Sequence, residues 1–394
     1  MVGWTAWLDV APDDVSKAHG LQVVVDRLGL TAADVLAVGD GRNDLEMFAW
    51  AGRSVAMGQA PPDVLAAADE VCAPVERDGL ADVLEQPARR GGRRVTGGGA
   101  AAAAADGDGD DELNRWARRA WAALDLLHVV HTFVPETQET ARALGLDPRF
   151  AHFAMRAAPL GPVPPQVVAA TFFVYDPALV ARGLRDVWNV TTPEAVVAAR
   201  VDVAAASLQR LAGEHLADDV LAEVLPLLAQ AVGAASVAGR PLFAAWSSVP
   251  EPEAPLARLW LRATQVREHR GDGHMAALLH APLDPVEALL LAGLGGTGLA
   301  FSRATRGWRH PDYLAGLARL RDRGLATGDA LDDAALTDAG RALRADVERA
   351  TDRAALAPWR AIGREATERA ARLLHPARDA VLASGALPGS LLGR

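Results

Sequence analysis

The stretch LAVGDGRNDLEM, Leu36 to Met47, decides how the first part of the chain is read. Its first residues form a short apolar run, the signature of a buried strand. Gly-Asp-Gly then marks a turn, and Asn43 and Asp44 are residue types that favour a helix start. Asp40 therefore stands just past the carboxyl end of a strand, the edge of a parallel sheet where ligands gather. Working outward, SKAHGLQVVVDRLGL (16–30) has helical spacing with Ser16 near its start, and WTAWLDV (4–10) reads as a strand. On the other side, NDLEMFAWAG (43–52) reads as a helix, SVAMG (54–58) as a strand, PPDVLAAAD (61–69) as a helix opening on prolines, and EVCA (70–73) as a last short strand. Strand and helix alternate, which predicts a parallel, doubly wound sheet.

The 394 residues suffice for two or three domains. Between Gln86 and Glu112 the sequence QPARRGGRRVTGGGAAAAAADGDGDDE has no apolar periodicity and reads as a flexible tether over 87–112. It divides an N-terminal segment, 1–86, from a block of 113–394. The net charge of −10 is unevenly spread: up to Pro87, fifteen acidic residues oppose Lys17, Arg27, Arg42, Arg53 and Arg77, whereas from Leu113 onward 31 Arg oppose 30 Asp and Glu. This balance excludes a chain-wide electrostatic grip on nucleic acid and leaves room only for a local arginine patch. Lys17 is the single lysine among 40 basic residues. The single cysteine, Cys72, excludes a disulfide framework or a multi-cysteine zinc site and reads as a small buried hydrophobe. No apolar run of about 18 residues is present, and the first residues lack the pattern of a signal peptide, so a soluble, cytoplasmic chain with no membrane partner is expected.

Lys17 in SKAHGL, followed by VLAVGDGRNDLEMF, SVAMGQAPPDVLAAADEV and DGLADVLE, resembles the C-terminal part of Cof-type phosphatases of the haloacid dehalogenase (HAD) superfamily. The resemblance implies an incomplete HAD-like Rossmannoid α/β core with Mg2+ as cofactor and a phosphorylated small molecule as substrate. Asp40 and Asp44 would be the metal-side carboxylates, suited as hard oxygen donors to Mg2+. Lys17 would set a compact positive charge against the transferring phosphoryl group, and Asn43 would donate to its oxygens. Gly39 and Gly41 would bring the backbone close to phosphate. Members of the superfamily use an Asp-x-Asp nucleophile strand. Asp9, Asp13 and Asp14 are not followed by the expected Gly-Thr, so the resemblance implies a truncated fragment that lacks its nucleophile and is inactive as it stands.

The C-terminal block reads as mostly α-helical, with Pro, Thr, Asp or Glu at helix starts and Gly or Asn at several ends. RAAPLGPVPPQVVAATFF, AGRPLFAAW, LWLRATQVREHRGDGHMAALL and LARLRDRGLAT with LTDAGRALRADVERATD resemble an actinobacterial helix-turn-helix family of the winged, MarR-like type. The winged segment falls at about 255–350, as a helix, a Gly-marked turn, a short hairpin and a long helix opening at Thr337. Arg319, Arg321 and Arg323 would supply charge toward DNA, while Asp329, Asp332 and Asp333 in the wing would repel phosphate. DNA and a second copy of the chain are the partners the resemblance implies. A small-ligand pocket is the other reading: REHRGDGH groups Arg267, His269, Arg270, Asp272 and His274 at an expected helix junction, with Asp272 as N-cap and Gly271 and Gly273 as turn residues. His128 and His131, at i, i+3 spacing, suggest a metal alternative. Trp246, Trp260, Trp308 and Trp359 read as core.

Overall fold

The computed structural model describes residues 17–74, 77, 79, 80, 83 and 99–389. The strand expected at 4–10, Ser16, and Asp9, Asp13 and Asp14 lie outside the described residues. The chain divides into two compact units, Met1–Ala100 and Ala101–Arg394.

In the first unit α1 (Lys17–Leu28) leads into β1 (Leu36–Gly39), and a 3-10 turn at Arg42–Asp44 opens α2 (Leu45–Trp50). β2 (Arg53–Ala56), α3 (Pro62–Ala67) and β3 (Glu70–Val71) follow. The strands pair in parallel in the order β1-β2-β3, with Leu36 opposite Arg53, Gly39 opposite Ala56, and Val55 opposite Glu70. This is the parallel strand–helix alternation expected from the apolar runs; among the described residues the strand order runs in one direction without the reversal of a doubly wound sheet. Ala37, Phe48, Ala56, Ala60 and Val64 form its small core. Asp69 ties the β2 end down by accepting from both the amide and the hydroxyl of Ser54, each at 2.8 Å. Cys72 is half-buried, its sulfur 3.4 Å from that of Met57.

The second unit is built of helices. They are α4 (Gly99–Val129), α5 (Pro135–Ala143), α6 (Ala151–Ala157), α7 (Pro165–Thr171), α8 (Pro177–Gly183), α9 (Val187–Val190), α10 (Pro193–Ala212), α11 (Asp218–Gly233) and α12 (Pro241–Ser247). Then come α13 (Pro255–His280), α14 (Pro285–Ala292), α15 (Ala300–Thr305), α16 (His310–Asp322), the hairpin of β4 (Ala326–Thr327) and β5 (Ala335–Leu336), α17 (Asp338–Ala355) and α18 (Ala357–Ala383). Proline at the first turn and side-chain caps set many of the starts. Thr192 accepts from the Ala195 amide, Asp284 and Glu287 form a reciprocal capping box, and Thr337 caps α17 through the Gly340 amide. The helix, turn, hairpin and long helix predicted for the winged segment are all present.

Two sequence expectations give way here. Residues 99–112, read as tether, are helical and continuous with α4. The alanine tract explains this, since alanine has the highest helix propensity of any residue. The break expected within REHRGDGH is also absent: α13 runs unbroken from Pro255 to His280, so Asp272 is a mid-helix residue and not an N-cap. Gly273 is there for packing. A Cβ at that position would lie 2.8 Å from Nη1 of Arg240 and 3.1 Å from Cβ of Ala354, so its absence lets α17 approach. α13 is the central helix, packed against α10, α11, α12 and α17. Trp246 and Trp260, both fully buried, meet edge-to-face at 5.7 Å, with Leu124, Leu208, Leu228 and Leu374 in the same core. Trp359 is buried and Trp308 half-buried, in keeping with core roles. No single helix among the described residues is long and apolar enough to cross a membrane.

Candidate functional site

The first site centres on Gly39 to Asp44 at the carboxyl end of β1, with Lys17 joining from α1 and Gln59 from beyond β2. Asp44 folds back over the strand end: its Oδ2 accepts the backbone amides of Asp40 and Gly41, each at 3.0 Å. Only glycine permits this at position 39, where a Cβ would sit 2.3 Å from that oxygen. The other oxygen of Asp44 receives the ammonium of Lys17 from α1. Burial pushes the Asp44 carboxyl up, but Lys17 and the Gly41 and Asp40 amides outweigh it and hold the group below the usual aspartate range. The Lys17 side chain stays 49% exposed while that of Asp44 is 6% exposed, so the pair is buried on its acid side and half open to solvent along the lysine. Asp40 is exposed, and its Oδ2 accepts from Nε2 of Gln59 at 3.0 Å. Asn43 is exposed on the same turn. The structure thus joins Lys17, Gly39, Asp40, Gly41 and Asp44 in one hydrogen-bonded loop. Gln59 escaped the sequence reading because it follows β2, away from the motif, and only the parallel register brings it to Asp40.

The residues of REHRGDGH are distributed around one helix and turn to separate partners. Arg267 pairs with Asp125 (3.0 Å) and Glu268 (3.2 Å), and Arg270 with Asp352 (3.1 Å) and Glu348 (3.2 Å). His269 stacks edge-on against Phe243 and its carbonyl receives Arg240. Asp272 accepts the Phe243 amide at 2.9 Å, and Nδ1 of His274 meets Oγ1 of Thr351 at 2.8 Å. Burial pushes His269 down to about 4 and Asp272 up to about 6. His269 and Arg270 line a cavity of about 20 Å³ with Trp121 and Trp359, room for a single water.

His128 and His131 are core residues. Nδ1 of His128 faces Oγ1 of Thr264 at 2.8 Å, and Nε2 of His131 accepts from Nε of Arg200 at 3.2 Å. Burial pushes both well below the usual histidine range, which keeps them neutral. Among the described residues no three His, Cys, Asp or Glu side chains group as a metal site. Sequence reasoning also missed the polar interior beside them. Arg156 makes a two-pronged bond to Glu268 at 2.8 and 2.7 Å, and Arg200 lies between the rings of Trp246 and Trp260. An arginine on an alanine-rich helix carries no local signal that it points inward.

In the winged segment Arg319 and Arg321 of α16, and Arg323 that caps its end, already have carboxylate partners. Arg319 meets Asp284 at 2.5 Å, Arg321 pairs with Asp329, and Arg323 lies 3.3 Å from Glu287. Their charge toward an approaching phosphate is correspondingly reduced.

Comparison with known proteins places both units. Residues 3–84 match the haloacid dehalogenase-like hydrolase family and residues 117–388 the Helix-turn-helix family. An uncharacterized protein of Geobacillus stearothermophilus is 44% identical over 78 residues, which is 20% of this chain and 82% of that protein. The phosphoglycolate phosphatase of Halobacterium salinarum is 39% identical over 77 residues, 20% of this chain and 34% of that enzyme. A crystal structure of a haloacid dehalogenase-like hydrolase from Bacteroides thetaiotaomicron is 42% identical, covers 19% of this chain and 28% of its own, and has a TM-score of 0.18. The chain thus spans about a third of the phosphatase it matches. The helical match takes in well over half of the chain, and the protein belongs to the Helix-turn-helix family, carrying a haloacid dehalogenase-like segment ahead of that domain.

Proposed function

We propose that the N-terminal unit is the Mg2+- and phosphate-binding side of a phosphohydrolase site. The observation that carries this reading is the carboxylate of Asp44, which gathers Lys17 and the Asp40 and Gly41 amides and leaves the Asp40 carboxylate exposed at the strand end. An exposed carboxylate of this kind suits a hard divalent cation. Asp40 would hold the ion, which when bound would draw charge from the phosphoryl oxygens. With both oxygens engaged, Asp44 acts as a positioning residue that fixes Lys17 and the loop. Lys17 offers positive charge to a phosphoryl oxygen, and Asn43 donates to another. The reading covers binding and not turnover, and background activity toward p-nitrophenyl phosphate is expected of this chain. Calorimetric titration of the full chain with inorganic phosphate should show binding only when Mg2+ is present, weakened at least about tenfold by Asp40→Asn. Phosphate affinity that ignores both Asp40→Asn and Lys17→Gln would overturn it.

A second reading, DNA binding by the C-terminal domain, is favoured by the β4–β5 hairpin that follows α16 and precedes the capped α17. The ion pairs of Arg319, Arg321 and Arg323 imply weak, salt-sensitive association. Fluorescence anisotropy with a labelled duplex at low salt tests it: no retention at low ionic strength removes it.

A further inference from the structure

The helical unit has three separate apolar cores, around Trp260, Phe172 and Tyr313. Between them the interior is polar, and its guanidinium groups fall into two kinds. Arg156 has Glu268, Arg267 has Asp125 at 3.0 Å, and Arg240 and Asp272 favour each other's charged form. Arg200 and Arg306 have no carboxylate at ion-pair distance among the described residues. Arg200 is held by the His131 ring, by the Met155 carbonyl at 2.9 Å and by two indole faces. Arg306, just past α15, donates from Nη1 to the hydroxyls of Tyr175 (3.0 Å) and Thr305 (2.8 Å) and lies over the rings of Tyr175 and Phe301. Buried charges are ordinarily paired with opposite ones, so two cations held only by neutral groups need an explanation.

Access separates the two. Arg200 is 2% exposed and enclosed. Arg306 is half-buried; its Nε has no partner, and its Nη2 bonds to nothing among the described residues. That is the same edge with which Arg156 grips both oxygens of Glu268, at 2.8 and 2.7 Å. Solvent reaches this layer, since the side chains of Arg267 and Asp125 keep 28% and 30% of their area beside a Glu268 that has none. The charges also converge on one group. His152, whose Nε2 stands 3.4 Å from the Tyr175 hydroxyl, is pushed well below the usual histidine range by burial and then by Arg156, Arg200, Arg306 and Arg267. A positive field with two charges in excess therefore spans this layer.

We infer that Arg306 binds a small oxyanion with two negative charges, which accepts from its Nη2 and balances Arg306 and the enclosed Arg200 together. A guanidinium edge with both nitrogens unpaired matches the paired oxygens of such an ion. A monoanion would leave one cation uncompensated and a neutral solute would leave both, so the site discriminates by charge. Holding Arg306 in place without a carboxylate lowers the stability of the free chain, and the bound ion restores it.

The test is calorimetric titration of the full chain with sodium sulfate, acetate and chloride at matched ionic strength, in EDTA. Sulfate is expected to bind at one site per chain, at least about tenfold more tightly than acetate or chloride, and Arg306→Gln should weaken it at least about tenfold. Chemical denaturation supplies a readout that a purely structural arginine would not give. Without sulfate, Arg306→Gln should leave the midpoint unchanged or higher, because it removes a buried cation that has no counter-charge. Sulfate should raise the midpoint of the unsubstituted chain by more than that of the variant, the general stabilisation by this salt being common to both. The proposal is overturned if sulfate fails to bind at millimolar concentration, if acetate or chloride binds as well, if the variant binds sulfate equally, or if Arg306→Gln lowers the midpoint by the same amount with and without sulfate. EDTA keeps the Mg2+-dependent half-site at β1 silent, so failure here leaves that reading standing.

Discussion

Two ion pairs, one in each unit, show how differently a charge can be used. Lys17–Asp44 is one-sided: the acid is locked at a strand end by two backbone amides while the lysine side chain remains half exposed. Arg156–Glu268 is closed on both sides, with side-chain exposures of 13% and 0%. The first leaves one partner open to solvent, and the second spends both charges on the fold itself. Glu268 makes the point. Burial pushes its carboxyl up, but Arg156 and Arg267 prevail and hold it at about 2. A charge so completely enclosed is needed by the structure and has none to spare for a ligand.

The contrast breaks if removing each acid has the same consequence. Glu268→Gln should cost about 3–5 kcal/mol of stability, because Arg156 is left buried without its counter-charge; chemical denaturation of the full chain measures it, and a loss below 1 kcal/mol would mean the pair is dispensable. Next in size, Gly273→Val should cost about 1–3 kcal/mol by forcing α17 and Arg240 away from α13, read from the same denaturation curves. Asp44→Asn should lower the stability of the N-terminal unit by about 1–2 kcal/mol and leave the helical unit unchanged, as resolved by hydrogen exchange. Asp40→Asn, at an exposed position, should change stability by less than about 0.5 kcal/mol while abolishing the Mg2+ dependence of phosphate binding.

The pH dependence sharpens the same comparison. His269 is held down to about 4 by burial and by Arg240, against an ordinary value of 6.5. The unfolded chain therefore takes up a proton before the folded one does. The stability it contributes is full above pH 6.5 and is lost as the pH falls through about 4. Glu268 has the same sign in a lower window, with stability complete above 4.5 and lost toward 2. Asp272 runs the other way: raised to about 6 chiefly by burial, it adds stability as the pH drops from above 6 toward 3.8. Because the two groups oppose each other between about pH 6 and 4, the His269→Gln variant should gain stability relative to the unsubstituted chain as the pH falls through that window, and an unchanged slope there would rule out this account.

The legible parts of the molecule are those whose geometry is local. β1, its turn and α2 follow from apolar runs and glycine placement within a dozen residues, and so does the loop that joins Asp40 to Asp44. The Thr337 cap and the hairpin before it were equally readable, because turn and cap chemistry act over three or four positions. Where distant segments decide, the sequence misled. Gly271 and Gly273 look like a helix break in isolation, and only the approach of Ala354 and Arg240 shows that Gly273 serves close packing. Arg156 meets Glu268 across 112 positions, and Arg200 reaches His131 across 69, separations for which spacing rules have nothing to say. The charge at the end of α16 was read correctly as composition and misread as availability, since Asp284 and Glu287 reach it from the start of α14 and Asp329 from the hairpin.

The solitary lysine has a practical side. Because Lys17 bears the one side-chain amine in 394 residues, an acylating reagent leaves a stable side-chain amide at a single address, and that address is the ammonium held by Asp44. Mass spectrometry of a brief labelling pulse therefore gives a reporter built into the chain: the rate of acylation at Lys17 should rise when Asp44→Asn frees the amine and should fall when an anion sits over the end of β1.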